Sequence, residues 1–177
     1  MDRRSFVIGT AALAAAGPAR AQETFPSRAI TIINAFPPGG ANDIATRPFA
    51  VALEPVTKQP VVVETKAGAG GQVGAQVAAN AKADGYTLLS HNNGLAGYEE
   101  VDKLFGRQPK TTRADFIPLA PLIADPVLVL VNDQQPYKTL KDLIDDAKKR
   151  PEAIIYSSGG LYGATHLPVA LFEKVTG

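Results

Sequence analysis

Cysteine and tryptophan are absent from the 177-residue sequence, and the single methionine is Met1. Without cysteine the chain forms no disulfide and offers no thiolate for catalysis or metal binding. The two histidines, His91 and His166, are far apart in sequence, so no zinc-ligand spacing occurs. The formal net charge is +1 and no basic tract is present, which disfavours nucleic acid as a partner. The sequence therefore predicts neither a metal site nor a bound cofactor.

Long apolar runs are also lacking, and the run at residues 6–16 is too short to span a bilayer. Arg3 and Arg4 precede this run, and Ala19-Arg20-Ala21 follows it. This order is typical of a secretory signal peptide, and the paired arginines resemble a twin-arginine export signal. We therefore predict a signal peptide at residues 1–21, a mature chain from Gln22 and a periplasmic location.

The rest of the chain alternates between strand and helix patterns. Predicted strands cover residues 30–35, 61–64, 86–90, 116–120, 127–131 and 154–156, and predicted helices cover residues 43–54, 72–83, 138–150 and a run after His166. This alternation indicates an α/β fold with a mostly parallel, doubly wound sheet. Ligands bind such sheets beyond the C-terminal ends of the strands. The loops at 36–43, 90–94 and 157–163 are therefore the candidate lining of a site.

The first of these loops reads Phe36-Pro37-Pro38-Gly39-Gly40-Ala41-Asn42-Asp43. Its prolines stiffen the turn, and its glycines allow the backbone to approach another group closely. Asn42 or Asp43 is suited to cap the following helix, in which Pro48 is expected to cause a kink or a delayed start. Free N–H groups at a helix N-terminus suit a phosphate or carboxylate. The same features also fit a strand–helix turn without a ligand, and the turn alone leaves both interpretations open.

Two further patterns suggest other functions but are incomplete. Gly68-Ala69-Gly70-Gly71 follows a predicted strand and imitates a dinucleotide-binding fingerprint, but its glycine spacing is imperfect. We interpret these glycines as a means of close helix–sheet packing. The candidates for a hydrolase are Ser157, Ser158, His91, His166 and several aspartates, but no Gly-x-Ser-x-Gly elbow is present, so the sequence does not predict an enzyme.

Five short motifs occur in a fixed order along the chain. They are Pro26-Ser27-Arg28, Phe36-Pro37-Pro38-Gly39-Gly40 with Asp43 and Arg47, Gly68-Ala69-Gly70-Gly71, Asp84-Gly85-Tyr86-Thr87-Leu88 and Asp115-Phe116-Ile117-Pro118. Together they resemble the periplasmic solute-binding receptors of tripartite tricarboxylate transporters, the Bug family. The resemblance implies a type II periplasmic-binding-protein fold with two lobes of parallel sheet. It also implies a small organic anion, usually a carboxylate, as ligand and a membrane permease as partner; a solute sensor for a signalling protein is the alternative.

The resemblance further implies ligand contacts from the first turn and from a loop rich in serine and glycine, and the end of the third strand adds a polar residue. The predicted ligand-binding residues are Phe36, Pro38, Gly39, Gly40, Asp43, Asn92, Ser157, Ser158, Gly160 and Tyr162. Asp43 is expected to cap its helix or to orient water, because its charge would repel a bound carboxylate.

The chain departs from the family pattern in its second loop and in its length. The family loop usually reads Ser-x-Gly-x-Gly-Ser/Thr-x-x-His, whereas Tyr162 and Gly163 stand where a glycine and a hydroxyl residue are expected. A tyrosine there would narrow the pocket or stack on an aromatic acid. The family's chains are much longer, so we predict lobe one at 22–124 and an incomplete lobe two at 125–177. Such a C-terminally truncated receptor, or non-functional fragment, would expose apolar faces and close poorly around a ligand.

Overall fold

A three-stranded parallel sheet forms the centre of the computed structural model, which describes residues 24–124 and 126–177. The strands are β1 (Ile30–Asn34), β2 (Val61–Thr65) and β3 (Thr87–Ser90), in the order β2-β1-β3. The central strand β1 pairs with β2 on one side and with β3 on the other. The parallel α/β sheet predicted from the first three strand patterns is confirmed. The predicted signal peptide lies outside the described residues.

Helix α1 (Ala41–Thr57) covers one face of the sheet. Ile30 and Ile32 of β1 form a buried cluster with Ala50 of α1 and Val61 of β2. Successive strand side chains point to opposite faces, so the alternate residues Ile30 and Ile32 meet the same helix. Burial of this apolar cluster fixes α1 against the two strands.

Helix α2 (Gln72–Ala79) packs against β1 and β3. It approaches closely at Gly74, where a Cβ would lie 2.7 Å from both Cα and Cβ of Ala35. A contact this short requires glycine, because neighbouring backbone atoms would have to move to admit a side chain. The predicted packing role for the glycine-rich segment therefore has a physical basis at Gly74.

Pro48 does not delay the start of α1, which contradicts that part of the sequence-based expectation. The helix begins at Ala41, and both Pro48 and Pro55 lie inside it. The residue that precedes its first turn is Gly40, which has no side chain to act as a cap. The prediction that Asn42 or Asp43 caps the helix is therefore wrong, because both residues already belong to it.

Three further helices follow the third strand. They are α3 (Tyr98–Leu104), α4 (Leu140–Lys149) and α5 (His166–Thr176). A capping box begins α4, with Thr139 accepting the N–H of Asp142 at 3.2 Å and Asp142 accepting the N–H of Thr139 at 2.8 Å. Within the two described ranges, no helix is long and apolar enough to cross a membrane.

The strands predicted at 116–120, 127–131 and 154–156 are not formed, and these predictions are wrong for the described chain. A strand persists only when a neighbour takes its backbone hydrogen bonds, and the sheet of the described residues contains β2, β1 and β3 alone. The side chains of Ile117 and Ile155 are 86% and 93% exposed, respectively. These segments therefore have the composition of buried strands without the neighbours that would bury them.

Substitution Gly74→Ala tests the close contact between α2 and β1. We expect a loss of about 1–3 kcal/mol in the free energy of unfolding, because the new methyl group overpacks the contact with Ala35. Urea unfolding of the full chain measures this loss. The matched control is Gly97→Ala, where the nearest heavy atom to the new Cβ lies 3.9 Å away. Equal stability of the two variants would contradict this account of the packing.

Candidate functional site

The C-terminal end of β1 is joined to the following turn and helix through the buried side chain of Asn34. Its Nδ2 donates to Oδ1 of Asp43 at 3.0 Å. Its Oδ1 accepts the N–H of Phe36 at 3.2 Å and Nδ2 of Asn42 at 2.8 Å. Asn34 is fully buried, so these bonds replace the water that its amide loses on folding. One side chain thereby fixes both ends of the β1–α1 turn.

The same helix is also joined to β3 by polar contacts. Nδ2 of Asn42 donates to the carbonyl oxygen of Ser90 at 3.0 Å. Thr46, which is fully buried, donates its hydroxyl to the Asn42 carbonyl oxygen at 2.6 Å and lies 2.5 Å from the Ser90 hydroxyl. These bonds hold the start of α1 at the point where β1 and β3 end.

Asp43 holds the β1–α1 turn through its carboxylate, whereas the sequence predicts that it caps the helix or orients water. Its Oδ2 accepts the N–H of Gly39 at 3.0 Å, and Arg47 forms an ion pair with it at 2.9 Å. The hydrogen bond from Arg47, followed by that from Gly39, lowers the pKa of the Asp43 carboxyl below its usual value near 3.8. The carboxylate is therefore ionised at neutral pH, neutralised by Arg47 and engaged in holding the turn.

The first backbone N–H groups of α1 have no hydrogen-bond acceptor among the described residues. The N–H of Ile44 is the first in α1 to bond within the helix, to Gly40 at 3.0 Å. The N–H groups of the residues before it, Ala41–Asp43, have no intrahelical acceptor, as at every helix start. Gly39 has φ +80°, and a Cβ placed on it would meet no heavy atom within 4 Å. The turn therefore combines backbone donors that have no intrahelical acceptor with open space at Gly39 and with the exposed residues Pro38 and Gly40.

Asn92 lies in the loop after β3, as predicted, but its side chain holds that loop. Its Oδ1 accepts the N–H of Gly94 at 3.0 Å. The preceding residue, His91, contacts the ring of Phe36 with 5.0 Å between ring centroids. The first and third strand-end loops are therefore in contact through these two rings.

The loop at 157–163 contacts the turn after β2 through Gly160. A Cβ on Gly160 would lie 3.0 Å from Cα of Gly70, in the turn that follows β2. Tyr162 has φ +59°, a left-handed conformation that favours glycine, and it stands where the family pattern places a glycine. Its N–H donates to Nδ1 of His166 at 3.2 Å, and its ring contacts Phe105 and His166. Tyr162 therefore keeps the backbone shape expected of a glycine while it packs on two neighbours.

The two predicted serines do not join the turn. Ser157 and Ser158 are exposed, and no hydrogen bond in the described part of the chain connects either of them to β1 or α1. Ser157 lines a separate, mainly apolar cavity of about 550 Å³ between α4, α5 and the segment 128–130. The structure thus brings together the first turn, the loop of Asn92 and the loop of Gly160, but not these serines.

Several residues of the site are not among the predicted ligand-binding residues, although Ser90 begins the predicted lining loop at 90–94. Asn34, Ser90 and Tyr98 are all buried. A polar residue at the end of an apolar strand, as at Asn34 and Ser90, is a signal that sequence reasoning had available. Tyr98 gave no such signal, because it lies in a stretch without periodicity. Residues 24–124 and 126–177 contain no cluster of three or more potential metal ligands.

The arrangement of sheet and helices matches that of solved periplasmic binding proteins. MatC from Rhodopseudomonas palustris, with bound malate, has a TM-score of 0.71 and 27% identity over 86% of this chain and 51% of its own. The periplasmic binding protein BugD has a TM-score of 0.66 and 27% identity over 86% of this chain and 50% of its own. A second R. palustris protein, solved with adipate, has a TM-score of 0.67 and 26% identity over 86% of this chain and 50% of its own. The fold is therefore that of a periplasmic binding protein.

A family model described as "Tripartite tricarboxylate transporter family receptor" matches residues 46–177, and the chain belongs to that family. Protein BugT of Bordetella pertussis is 35% identical over 170 residues, covering 96% of this chain and 51% of its own. A UPF0065 protein from the tcbD-tcbE intergenic region of Pseudomonas sp. strain P51 is 34% identical over 174 residues, covering 97% and 51%. The chain spans about half the length of these relatives. The family consists of receptors, so the prediction that the chain is not an enzyme is confirmed.

The acid sensitivity of folding tests the role of Asp43. Its pKa is lower in the folded chain, so its stabilising effect is complete above about pH 4 and is lost as the pH falls through the lowered value. Asp43→Asn should lower stability at neutral pH, because the NH2 group of asparagine replaces one accepting oxygen. It should also flatten the acid dependence, because the asparagine side chain does not titrate. Urea unfolding from about pH 6 to about pH 3 measures both effects. The exposed Asp133→Asn should keep the original profile; the same profile in Asp43→Asn would refute the role.

Proposed function

We propose that this chain recognises a small organic acid outside the cytoplasm and binds one carboxylate at the β1–α1 turn. The observation that carries the proposal is the pairing of unused N–H donors at Ala41–Asp43 with an Asp43 carboxylate that is already neutralised by Arg47. A bound carboxylate would meet backbone donors and the positive end of a 17-residue helix. It would not meet an uncompensated like charge.

The class of ligand follows from the turn and from the relatives. MatC was solved with malate and the R. palustris protein with adipate, and both ligands are dicarboxylic acids. A dicarboxylate whose first carboxylate lies at the turn would extend toward the loop of Gly160 and Tyr162. Of the ligand-binding residues predicted from the sequence, we keep seven in this proposal: Phe36, Pro38, Gly39, Gly40, Asn92, Gly160 and Tyr162. Ser157 and Ser158 would reach such a ligand only if their loop moved.

The proposed partner is the membrane permease of a tripartite transporter, and the proposed location is the periplasm. The family description supports the partner, and the periplasmic binding proteins with the same fold support the location. Export would use the predicted signal peptide at residues 1–21. The division into a first lobe at 22–124 and the start of a second at 125–177 belongs to the same proposal.

A second candidate is a receptor chain that has no ligand binding of its own. The exposed apolar side chains of the extended segments favour it, among them Leu128 and Leu130, which are 70% and 84% exposed. Binding proteins that enclose a ligand need well-packed walls on both sides of the site. Measurement of ligand binding to the chain distinguishes the two candidates.

Ligand-dependent thermal stability of the full chain tests the proposed function. The panel contains malate, adipate, a tricarboxylate, an aromatic acid and a neutral sugar as a negative control. A dicarboxylate at about 100 times its Kd should add about 2.7 kcal/mol, which raises Tm by roughly 5–10 °C for a chain of this size. Absence of a shift with every acid would contradict binding and support the second candidate.

The variant Gly39→Val tests whether the turn is the anion site. Valine at φ +80° strains the backbone and should abolish the ligand-induced shift in Tm. The matched control is Gly106→Val, which also has a positive φ of +64° and no heavy atom within 4 Å, but which lies beyond the end of α3. The control should keep the shift, and a full shift in Gly39→Val would exclude the turn as the carboxylate site.

A further inference from the structure

Tyr98 is a buried residue that the proposed function does not use. Its side chain belongs to α3 and is 4% exposed. Its hydroxyl donates to the carbonyl oxygen of Gly70 at 2.7 Å and lies 2.9 Å from Nε2 of His91. One hydroxyl therefore contacts both the turn after β2 and the loop after β3.

His91 extends these contacts to the first turn. Its ring contacts Phe36 on one side and Tyr98 on the other, with centroid distances of 5.0 and 5.5 Å. Three atoms of these side chains converge on Gly71, where a Cβ would lie 2.5 Å from Nε2 of His91, 2.7 Å from the Tyr98 hydroxyl and 2.9 Å from Cζ of Phe36. The turn after β2 is thus enclosed by residues from the two other strand-end loops and α3.

The turn after β2 also contacts the loop at 157–163. A Cβ on Gly160 would lie 3.0 Å from Cα of Gly70, and a Cβ on Gly94 would lie 3.2 Å from the backbone nitrogen of Ala164. The position of Gly70 therefore sets where the second loop can lie relative to the β1–α1 turn. Under the proposed function, that separation would determine the space available to a ligand.

Whether His91 and Tyr98 form a hydrogen bond depends on the protonation state of the His91 imidazole. Nδ1 of His91 lies 2.8 Å from the carbonyl oxygen of Asn92, which can only accept, so Nδ1 carries a proton. We assign the single hydroxyl proton of Tyr98 to the Gly70 carbonyl, which can only accept. The remaining contact, between Nε2 and the Tyr98 oxygen, is a hydrogen bond only when Nε2 is also protonated. With that assignment, the contact between Nε2 and Tyr98 belongs to the imidazolium form of His91.

Burial disfavours the imidazolium form and lowers the pKa of His91. Hydrogen bonds to the backbone of Asn92 and Gly71 have the opposite, smaller effect and raise this pKa. Among the described residues, the aromatic rings that contact His91 are those of Phe36 from the first turn and Tyr98 from α3, and Tyr98 is the titratable one of the two. Burial raises the pKa of the Tyr98 hydroxyl, which therefore stays protonated around neutral pH.

We infer that Tyr98 is a positioning residue for the ligand site. By joining Gly70 to His91 it holds the turn after β2 between the two loops that would enclose an organic acid. This inference rests on the proposed function for its effect on binding. The link between Tyr98, His91 and Gly70 is a separate physical claim that can be measured without a ligand.

The first test is an NMR titration of His91 in the full chain, from about pH 5 to about pH 8. In Tyr98→Phe the imidazolium loses the Tyr98 oxygen as an acceptor for its Nε2 proton, so the pKa of His91 should fall by about half a unit to one unit. Tyr137→Phe, which removes a tyrosine hydroxyl bonded to Asp146, should leave that pKa unchanged. An unchanged or raised pKa in Tyr98→Phe would overturn the assignment of the hydroxyl proton to Gly70. The variant His166→Gln identifies the resonance of His91, because the chain has two histidines.

The second test is the affinity for the dicarboxylate that stabilises the unsubstituted chain most. Tyr98→Phe keeps the buried ring, and its affinity should fall about tenfold through misplacement of the loops. Tyr137→Phe should bind within twofold of the unsubstituted chain, and an equal affinity in Tyr98→Phe would overturn the positioning role. If the unsubstituted chain binds no acid of the panel, the proposed function fails, and the His91 titration alone decides whether Tyr98 joins the two loops.

Discussion

The buried hydrogen bond between Asn34 and Asp43 is the contact on which the rest of the site depends. Asn34 ends the central strand and Asp43 lies in the first turn of α1, so the bond closes the loop between them. An unsatisfied buried amide at Asn34 would cost about 1–3 kcal/mol, which disfavours any other course of the turn. Arg47 and the N–H of Gly39 occupy the other side of the Asp43 carboxylate. The chain thereby holds a negative charge beside the proposed anion site without directing it at a bound anion.

Local patterns predict the first half of the fold well, because its strands find their neighbours within the described chain. The β-branched run from Ile30 and the glycines after Phe36 are sufficient to place β1, the turn and α1. The segment 127–131 has an equally strong strand pattern, yet it forms no strand, since pairing depends on a neighbour that local sequence does not specify. Tyr98 was missed for a related reason: its partner at Gly70 is 28 residues away.

The region around β1 and the chain beyond residue 115 differ in how many of their side chains are buried or hydrogen-bonded. Around β1 the polar side chains are bonded to one another, and Ile30, Ile32 and Ala50 are buried. Beyond residue 115 the apolar side chains of the extended segments are exposed, and α4 and α5 enclose a cavity of about 550 Å³. The loops meet at Gly70 and Gly160, so the second part contributes to the proposed site through backbone contacts more than through its serines.

An NMR titration of the full chain with malate tests the central claim most directly. If the β1–α1 turn binds a carboxylate, the backbone amide resonances of Ala41, Asn42 and Asp43 should shift together and saturate with one Kd. The largest changes are expected there because these N–H groups would gain a charged acceptor. Malate binding that leaves these three amides unchanged, while it shifts resonances elsewhere in the chain, would contradict the account.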